Sequence, residues 1–478
     1  MNGFVFSLPD ATYLEENSEG SFLISKMPIR MLRLNKSLFQ ALKSIEQNPF
    51  ACINDRHLLP TLLSLTARGY LKLERVSAPA EYPEVSVIIP VRDQSADLAE
   101  CLQSLETLNY PPDKLEIIVV DDGSRTPVSL SISCTGFKLM RLEESHGPAA
   151  ARNLGISKAN GDILAFLDAD CTANENWLGE LVPFFQIEDI GVVGGFVDSF
   201  YKKSLLDRYE EAFSSLNMGK RMLFEADTVS TFYVPTCNML VRAKVLKETG
   251  GFNELMKAGE DVDFCWRIRE LGYSLLYIPA GKVAHKHRNR LFHMLHRRSF
   301  YGTSEAVLYS NHKNKRKRFS IPIFAGLCFL ALVIAILFVN PYPLCAIPPL
   351  LGIDLYRKYT TIRRYQMKSP FNQTLASMRS YLSISYFVSF HLIRYYLILV
   401  VALGLVFPSL WILGCFTLIL SSLVDYYVKL PRVNYPVFLF FYTLEHLAYQ
   451  AGVSWGCLKI GYFGSYIPVF SRVRTGSW

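Results

Sequence analysis

Two apolar runs that each end in acid restrict this chain more than any other feature. Leu115-Glu-Ile-Ile-Val-Val120 runs into Asp121-Asp122-Gly123-Ser124, and Asp162-Ile-Leu-Ala-Phe-Leu167 runs into Asp168-Ala169-Asp170. A strand this apolar is buried on both faces, which requires a largely parallel sheet covered by helices. The acids that follow then emerge at the carboxyl edge of the sheet, where α/β proteins form ligand sites. Either acidic cluster alone is explained as an ordinary turn after a strand. The wider series is not.

That series opens with Glu84-Val-Ser-Val-Ile-Ile-Pro90-Val91-Arg92-Asp93, a buried strand. A helix pattern with Leu98, Cys101, Leu102 and Leu105 at spacings of three and four follows. The Asp121-Asp122 strand comes next, then a helix start at Gly147-Pro-Ala-Ala-Ala-Arg152-Asn153-Leu-Gly155, then the strand that delivers Asp168 and Asp170. Alternating strand and helix with short connections predict a doubly wound α/β unit. A dinucleotide-binding version is disfavoured, because Pro90-Val91-Arg92-Asp93 stands where G-x-G-x-x-G belongs. Pro235-Thr236-Cys237-Asn238-Met239 and Gly259-Glu260-Asp261-Val-Asp263-Phe-Cys-Trp266 lie further along.

On these motifs, residues from about 82 to 290 resemble glycosyltransferase family 2, the inverting, nucleotide-sugar-dependent group with the GT-A fold. The resemblance implies an α/β, Rossmann-like catalytic domain that transfers a sugar to an acceptor hydroxyl, with a divalent metal, magnesium or manganese, as cofactor. It implies that Pro90, Arg92, Asp121, Asp122, Arg152, Asp168, Thr236 and Asn238 bind the nucleotide sugar. Asp170 is the implied metal ligand, with Asp168 sharing the metal or contacting ribose, and Asp122 is the implied reader of the base. Arg152 stands where the family often places a cation toward the phosphates, although such a helix-start arginine is also a common solvated charge. The leaving nucleoside diphosphate gains negative charge, so a cation held by carboxylates suits the chemistry.

The acceptor hydroxyl has a high pKa and needs a carboxylate to take its proton as the bond forms. The resemblance gives that role to Asp261, with Glu260 the rival and Asp263 facing elsewhere; an acidic first turn also complements the helix dipole without any catalytic role. Trp266 is either an apolar wall for the acceptor or core. In Val283-Ala-His285-Lys286-His287, His285 is a candidate metal ligand and His287 a weaker one, while Lys286 and Arg288 suggest a basic phosphate-facing loop. The ten cysteines form no C-x-x-C pair, which disfavours a zinc site.

Cysteines within strand and helix patterns, and no charged n-region before an apolar stretch at residues 1–8, predict a cytoplasmic catalytic domain. The membrane enters with Phe319 to Val339, an uncharged stretch long enough to cross a hydrocarbon core of about 30 Å. The basic run 313–318 before it marks a cytoplasmic flank. Residues 342–354 predict a returning hairpin or an interfacial segment. The next loop, with Arg357, Lys358, Arg363, Arg364, Lys368 and Arg379, is cytoplasmic by the positive-inside rule. Residues 395–420 predict one long helix or two that meet at Pro408. A hydrophobic fraction of 50% and a net charge of +8 suit a basic protein on anionic lipid.

Residues 1–75 read as a separate winged-helix-like domain, ahead of a catalytic domain at 82–300 and a membrane-associated region at 301–478. A helix start at Leu34-Asn35, a helix end at Gly69 and a returning strand at Tyr70-Leu-Lys-Leu73 carry that expectation. The pattern resembles the peptide-recognition elements of ribosomally made peptide pathways. Nucleic-acid binding is disfavoured, since no helix here concentrates Lys and Arg. With Ala448-Tyr449-Gln-Ala-Gly452 near the C-terminus, the order of parts resembles the mycofactocin-system branch of the family. The resemblance then implies glucose transfer from UDP-glucose to a peptide-derived redox cofactor. A cell-envelope enzyme acting on a lipid-linked acceptor is the alternative, and an inactive membrane scaffold presenting a peptide-binding module is the non-enzymatic one. The intact Asp-x-Asp and base argue against the scaffold, and the lack of Gln-x-x-Arg-Trp against a processive synthase.

Overall fold

The computed structural model describes residues 3–26, 29–49, 51–128, 137–226, 230–315, 317–364, 374 and 378–472. Arg316 and Lys368, counted above in the basic flanks, lie outside the described residues. Two compact units are present, one of residues 1–6, 51–294 and 307–315, the other of residues 7–50, 295–306 and 316–478. Residues 1–75 are thus divided between the units, which differs from the expected three-part order along the chain.

The first unit is built on an eight-stranded sheet. Its order is Leu223–Glu225, Ser274–Tyr277, Ile190–Gly194, Met239–Arg242, Ile163–Phe166, Val85–Val91, Leu115–Asp122 and Phe137–Leu142. The last four run parallel, as the apolar runs require. Met239–Arg242 is antiparallel to both its neighbours, so the sheet is mixed rather than purely parallel. The Arg242 guanidinium pins that strand by donating to the carbonyls of Ile190 at 2.8 Å and Ile187 at 2.7 Å. Helices Pro148–Lys158 and Glu260–Glu270 contribute Ala149, Ala151, Phe264 and Ile268 to a core with Ile88, Ile118, Phe166 and Val241. A small sheet of Cys52–Ile53, Phe4–Ser7 and Lys72–Val76 belongs here too, with the Phe4 ring 5.8 Å from that of Phe184.

The second unit holds a meander of Thr12–Asn17, Gly20–Lys26 and Ile29–Leu34, then helix Lys36–Gln47. Asn35 caps that helix by accepting from the Leu38 amide at 2.8 Å, as expected at this start. The long apolar helices follow, and their bounds correct the sequence reading. Phe319 to Val339 is not one span. Arg318–Ile321 is a strand paired in parallel with Val469–Arg472, Pro322 ends it, and the helix Ile323–Leu337 has only 15 residues. At 1.5 Å per residue it reaches about 22 Å, less than a hydrocarbon core of about 30 Å.

Among the described residues, two helices are long and apolar enough to cross a membrane, Arg379–Gly404 and Ser409–Lys429. They meet at Pro408, the two-helix arrangement left open above. Residues 342–354 form a 3-10 turn and the start of helix Ile347–Arg364. The motif Ala448-Tyr449-Gln-Ala-Gly452 lies in helix Tyr435–Ile460, where it packs on residues 295–306. A Cβ on Gly452 or Gly456 would strike the carbonyl of Ser299 or Thr303, and one on Gly302 the carbonyl of Tyr449. Small residues one turn apart therefore set this close crossing.

Candidate active site

Strand register places the acids. Val91 lies opposite Asp121 and Ile88 opposite Phe166, so residues 92, 122 and 168 leave the sheet at one edge. The first two loops are tied together there. Asp93, at φ +55°, receives the Ser124 hydroxyl oxygen as acceptor for its amide at 3.0 Å, and its Oδ1 accepts from the Arg125 amide at 2.8 Å. Gly123, at φ +61°, has no alternative, because a Cβ would meet the backbone of Glu144 and Ser145 at 2.7 Å.

Asp121 and Asp122 are both buried and both engaged. Asp121 accepts from the amides of Ser124 at 2.9 Å and Val128 at 3.3 Å, and pairs with Arg141 at 2.5 Å. Burial works against its charge, yet the Ser124 and Val128 hydrogen bonds and the Arg141 guanidinium prevail and hold its carboxyl below the usual range. Asp122 accepts from the Ser145 hydroxyl at 2.8 Å and the amides of His146 at 2.8 Å and Gly147 at 3.0 Å. It thereby fixes the entry to helix Pro148–Lys158. Pro90 is half-buried in its strand, and Arg92 is exposed, 3.9 Å from Asp93.

The centre of the site is Arg152. Its guanidinium is buried and donates to Asp168 Oδ1 at 2.7 Å and to Glu260 Oε1 at 2.9 Å, with its face 5.7 Å from the Phe252 ring centroid. Burial disfavours its charge, but Asp168 and Glu260 raise its pKa overall. Arg152 is therefore neither a solvated surface charge nor a free phosphate ligand. It joins the Asp-x-Asp strand end to the first turn of helix Glu260–Glu270. Gly259, in the left-handed region at φ +76°, starts that helix, and Glu260, Asp261 and Asp263 fill its first turn where the dipole favours acid.

Asp261, half-buried, spends one oxygen on the adjacent Val262 amide at 2.8 Å. Its carboxyl is pushed up to about 7, by burial first and then by Glu260 beside it, with Asp168 adding and Val262 and Arg152 opposing. A carboxylate raised into the neutral range is suited to proton abstraction at physiological pH.

Asp170 and His285 form the second half of the site. Strand Cys171–Ala173 pairs antiparallel with Val283–His285, setting Cys171 opposite His285. The His285 Nε2 lies 3.5 Å from Asp170 Oδ1, and Arg288 Nη1 is 3.9 Å from Asp170 Oδ2. With Cys171 Sγ, these ligand atoms lie within 4.8 Å of one another. A carboxylate oxygen and an imidazole nitrogen this close fit one divalent ion. Burial and the Cys237 thiol beside it raise the Cys171 pKa well above its usual value, so Cys171 is a poor third ligand. Its place in the group was missed in the sequence, although it directly follows Asp170.

Other expected site residues are placed differently. Trp266 is buried with its ring 5.8 Å from Tyr309 and 5.2 Å from His312. Five residues along a helix is roughly 140° around it from Asp261, so Trp266 is core here and not an acceptor wall. Asn238 is fully buried, accepts from Trp177 Nε1 at 2.8 Å and donates to the Gly281 carbonyl at 2.8 Å, which makes it a post between segments. Thr236 is buried in the same 3-10 turn. Asp263 is held by His312 and Arg267, each at 2.8 Å. His287 is bound between Ser199 at 2.9 Å and Asp207 at 3.2 Å, out of the metal group. Lys286 pairs with Asp97 and Glu100, so the basic phosphate-facing loop reduces to Arg288.

Comparison with known proteins gives the family. Residues 86–250 match the model "Glycosyl transferase family 2". The Pre-mycofactocin glycosyltransferase of Mycobacterium tuberculosis is 33% identical over 305 residues, 62% of each chain, so this chain spans less than two thirds of that relative's length. Glycosyltransferase AglE of Haloferax volcanii is 32% identical over 225 residues, 46% of this chain and 71% of the relative. A solved mannosyltransferase of Pyrobaculum calidifontis, in complex with GDP-Man and Mn2+, is 19% identical, covers 69% of this chain and 92% of its own, and has a TM-score of 0.41, too distant a likeness to carry residue roles across. On the model match, on relatives at this identity, and on acids delivered at the edge of an α/β sheet, the chain belongs to glycosyl transferase family 2.

Proposed function

We propose that this glycosyltransferase uses a nucleotide-sugar donor and inverts the anomeric centre, with Asp261 as the base that takes the acceptor proton. The observation that supports this reading is the buried Arg152, which binds Glu260 and Asp168 at once and so leaves Asp261 as the uncommitted carboxylate of the pair. Asp170 and His285 would hold a divalent ion, magnesium or manganese, with Asp168 beside them. When bound, such an ion supplies Lewis-acid stabilisation of the departing diphosphate. Arg288 adds a fixed positive charge on the same side, while Arg152 orients Asp168 and Glu260 without leaving the interior. Asp261 removes the hydroxyl proton and returns it to solvent.

For the substrates, the name of the mycobacterial relative supports a pre-mycofactocin-type acceptor, and the reading takes glucose from UDP-glucose as the donor and a peptide-derived redox cofactor as the acceptor. Residues 1–75 supply the peptide-recognition part in this reading. The helices Arg379–Gly404 and Ser409–Lys429 anchor the chain in the cell membrane, with the catalytic unit facing the cytoplasm. Membranes carrying the full chain, incubated with UDP-glucose, UDP-galactose or GDP-mannose and either a peptide-derived or a polyprenyl-phosphate acceptor, test this by product mass. Glucose on the peptide-derived acceptor is the expected product. Glucose or another hexose on the polyprenyl phosphate alone would replace the acceptor with a lipid-linked one.

A further inference from the structure

Residues 319–353 contain no charged side chain and no histidine, and most of them fold into a helical hairpin. Helix Ile323–Leu337 leads out, the 3-10 turn Tyr342–Ala346 reverses the chain, and helix Ile347–Arg364 returns against the first. The Arg357 guanidinium lies 5.5 Å from the Phe324 ring, so the start of the first helix faces the charged half of the second. Exposed Arg318 stands just before the hairpin and exposed Arg357 and Arg363 at its exit, which gathers its cations at one end. The exposed face of the first helix is large and apolar, with Leu327, Leu330, Ile334 and Phe338 at spacings of three and four. Its buried face is small, with Ala325, Cys328, Ala331 and Ala335, and the helix packs beside Arg379–Gly404 and Ser409–Lys429. A helix surrounded by water turns its large apolar side chains inward, whereas small residues inside and large ones outside suit contact with lipid.

The reversal is built with little need of water. The amides of Phe338, Val339 and Asn340 donate to the carbonyls of Ile334 at 3.0 Å, Ile336 at 3.3 Å and Ala335 at 3.0 Å. The Tyr342 amide donates to Asn340 Oδ1 at 3.0 Å and the Leu344 amide to the Pro341 carbonyl at 3.0 Å. Pro341, Pro343, Pro348 and Pro349 have no amide to satisfy. A surface turn has water for such groups, whereas a turn in hydrocarbon must supply their acceptors itself. Val339 holds the left-handed cap at φ +50°, where Gly or Asn is usual. Phe338 is 75% exposed, Val339 72% and Tyr342 79%, so the apex presents its apolar side chains outward. Between Phe324 and Leu337 the first helix rises about 20 Å, past the middle of a hydrocarbon core of about 30 Å and short of its far side.

We propose that residues 322–353 form a re-entrant hairpin, whose apex lies among the acyl chains of the membrane and whose two ends both open on the cytoplasmic side. The inference rests on the membrane reading above and adds to it a surface that meets lipid without crossing. Cys345, exposed in the 3-10 turn, reports on the apex. The full chain in sealed right-side-out and inside-out vesicles is treated with a sulfonated maleimide, which does not cross lipid, and adducts are located by peptide mass. Thr360→Cys, at an exposed position one turn past Arg357, marks the cytoplasmic end. A thiol in hydrocarbon does not ionise, so Cys345 should react about tenfold less in both kinds of vesicle than after unfolding in dodecyl sulfate, while Thr360→Cys reacts freely in inside-out vesicles. Ready reaction of Cys345 in right-side-out vesicles would mean a complete crossing, and in intact inside-out vesicles an apex lying in water; either would overturn the hairpin while leaving the membrane reading in place. Release of the chain by alkaline carbonate would overturn the membrane reading and the hairpin with it.

Discussion

Arg152 Nη1 donates to Glu260 Oε1 at 2.9 Å, and that one bond separates the roles of two neighbouring acids. Glu260 is committed to a buried cation, whereas among the described residues Asp261 accepts from the amide of the next residue alone. Asp261→Asn should therefore lower transfer by roughly 10² to 10⁴-fold, the usual contribution of a placed base, with donor binding nearly unchanged. Glu260→Gln keeps a hydrogen-bond acceptor for Arg152 and should cost about tenfold through loosened positioning. Steady-state rates of the two variants decide the matter, and the reverse order would move the base to Glu260.

The raised carboxyl of Asp261 gives a pH dependence in two observables. Because the ionised form is the base, kcat/KM should rise about tenfold per pH unit toward pH 7 and then level, a limb absent in Asp261→Asn. Stability should run the other way. From an ordinary value of 3.8 to a folded value of about 7, the folded protein holds the proton more tightly, so stability from this group declines as pH rises between them. Asp261→Asn should accordingly melt above wild type at pH 8 and close to it at pH 4. Melting curves at the two pH values check the sign.

Asp121 is expected to matter for folding more than for donor affinity. Its carboxylate holds the 121–128 turn through Ser124, Val128 and Arg141, and its charge is favoured over the neutral form. Asp121→Asn should cost roughly 2 kcal/mol of stability, discounted because Arg141 is about a third exposed, and should change the donor KM little. A folded depressed carboxyl stabilises above its unfolded pKa, so the gap between variant and wild type should close as pH falls through the folded value. Denaturant unfolding at pH 7 and pH 3, with donor KM at pH 7, measures both.

Much of this site was legible because continuous apolar runs admit few environments. Val85–Val91, Leu115–Asp122 and Ile163–Phe166 had to be interior parallel strands, and their acids had to leave at one edge. What sequence could not supply was direction and partnership. Met239–Arg242 is four residues long, and a run so short looks the same parallel or antiparallel. Asp121 and Asp122 are identical neighbours whose partners, Arg141 and Ser145, lie well along the chain, so their inward roles were invisible. His285 and His287 differ only by which strand register brings them to Asp170 or to Asp207. Hydropathy alone joined residues 319–339 into a span, because it does not register the pairing of Arg318–Ile321 with Val469–Arg472.

The pairing of Asp170 with His285 leads to the last expectation. Cross-strand register holds the imidazole 3.5 Å from the carboxylate, and each is a short side chain with little freedom to be replaced by a neighbour. Asp170→Ala should abolish transfer at any manganese or magnesium concentration, because the remaining imidazole offers one ligand to a hard cation that prefers oxygen. His285→Ala keeps that carboxylate, so it should raise the metal concentration needed for half-maximal rate by about 10 to 100-fold while approaching wild-type turnover at saturation. Manganese binding followed by calorimetry on both variants separates loss of the ion from loss of chemistry. Wild-type manganese affinity in Asp170→Ala would remove Asp170 from the metal site.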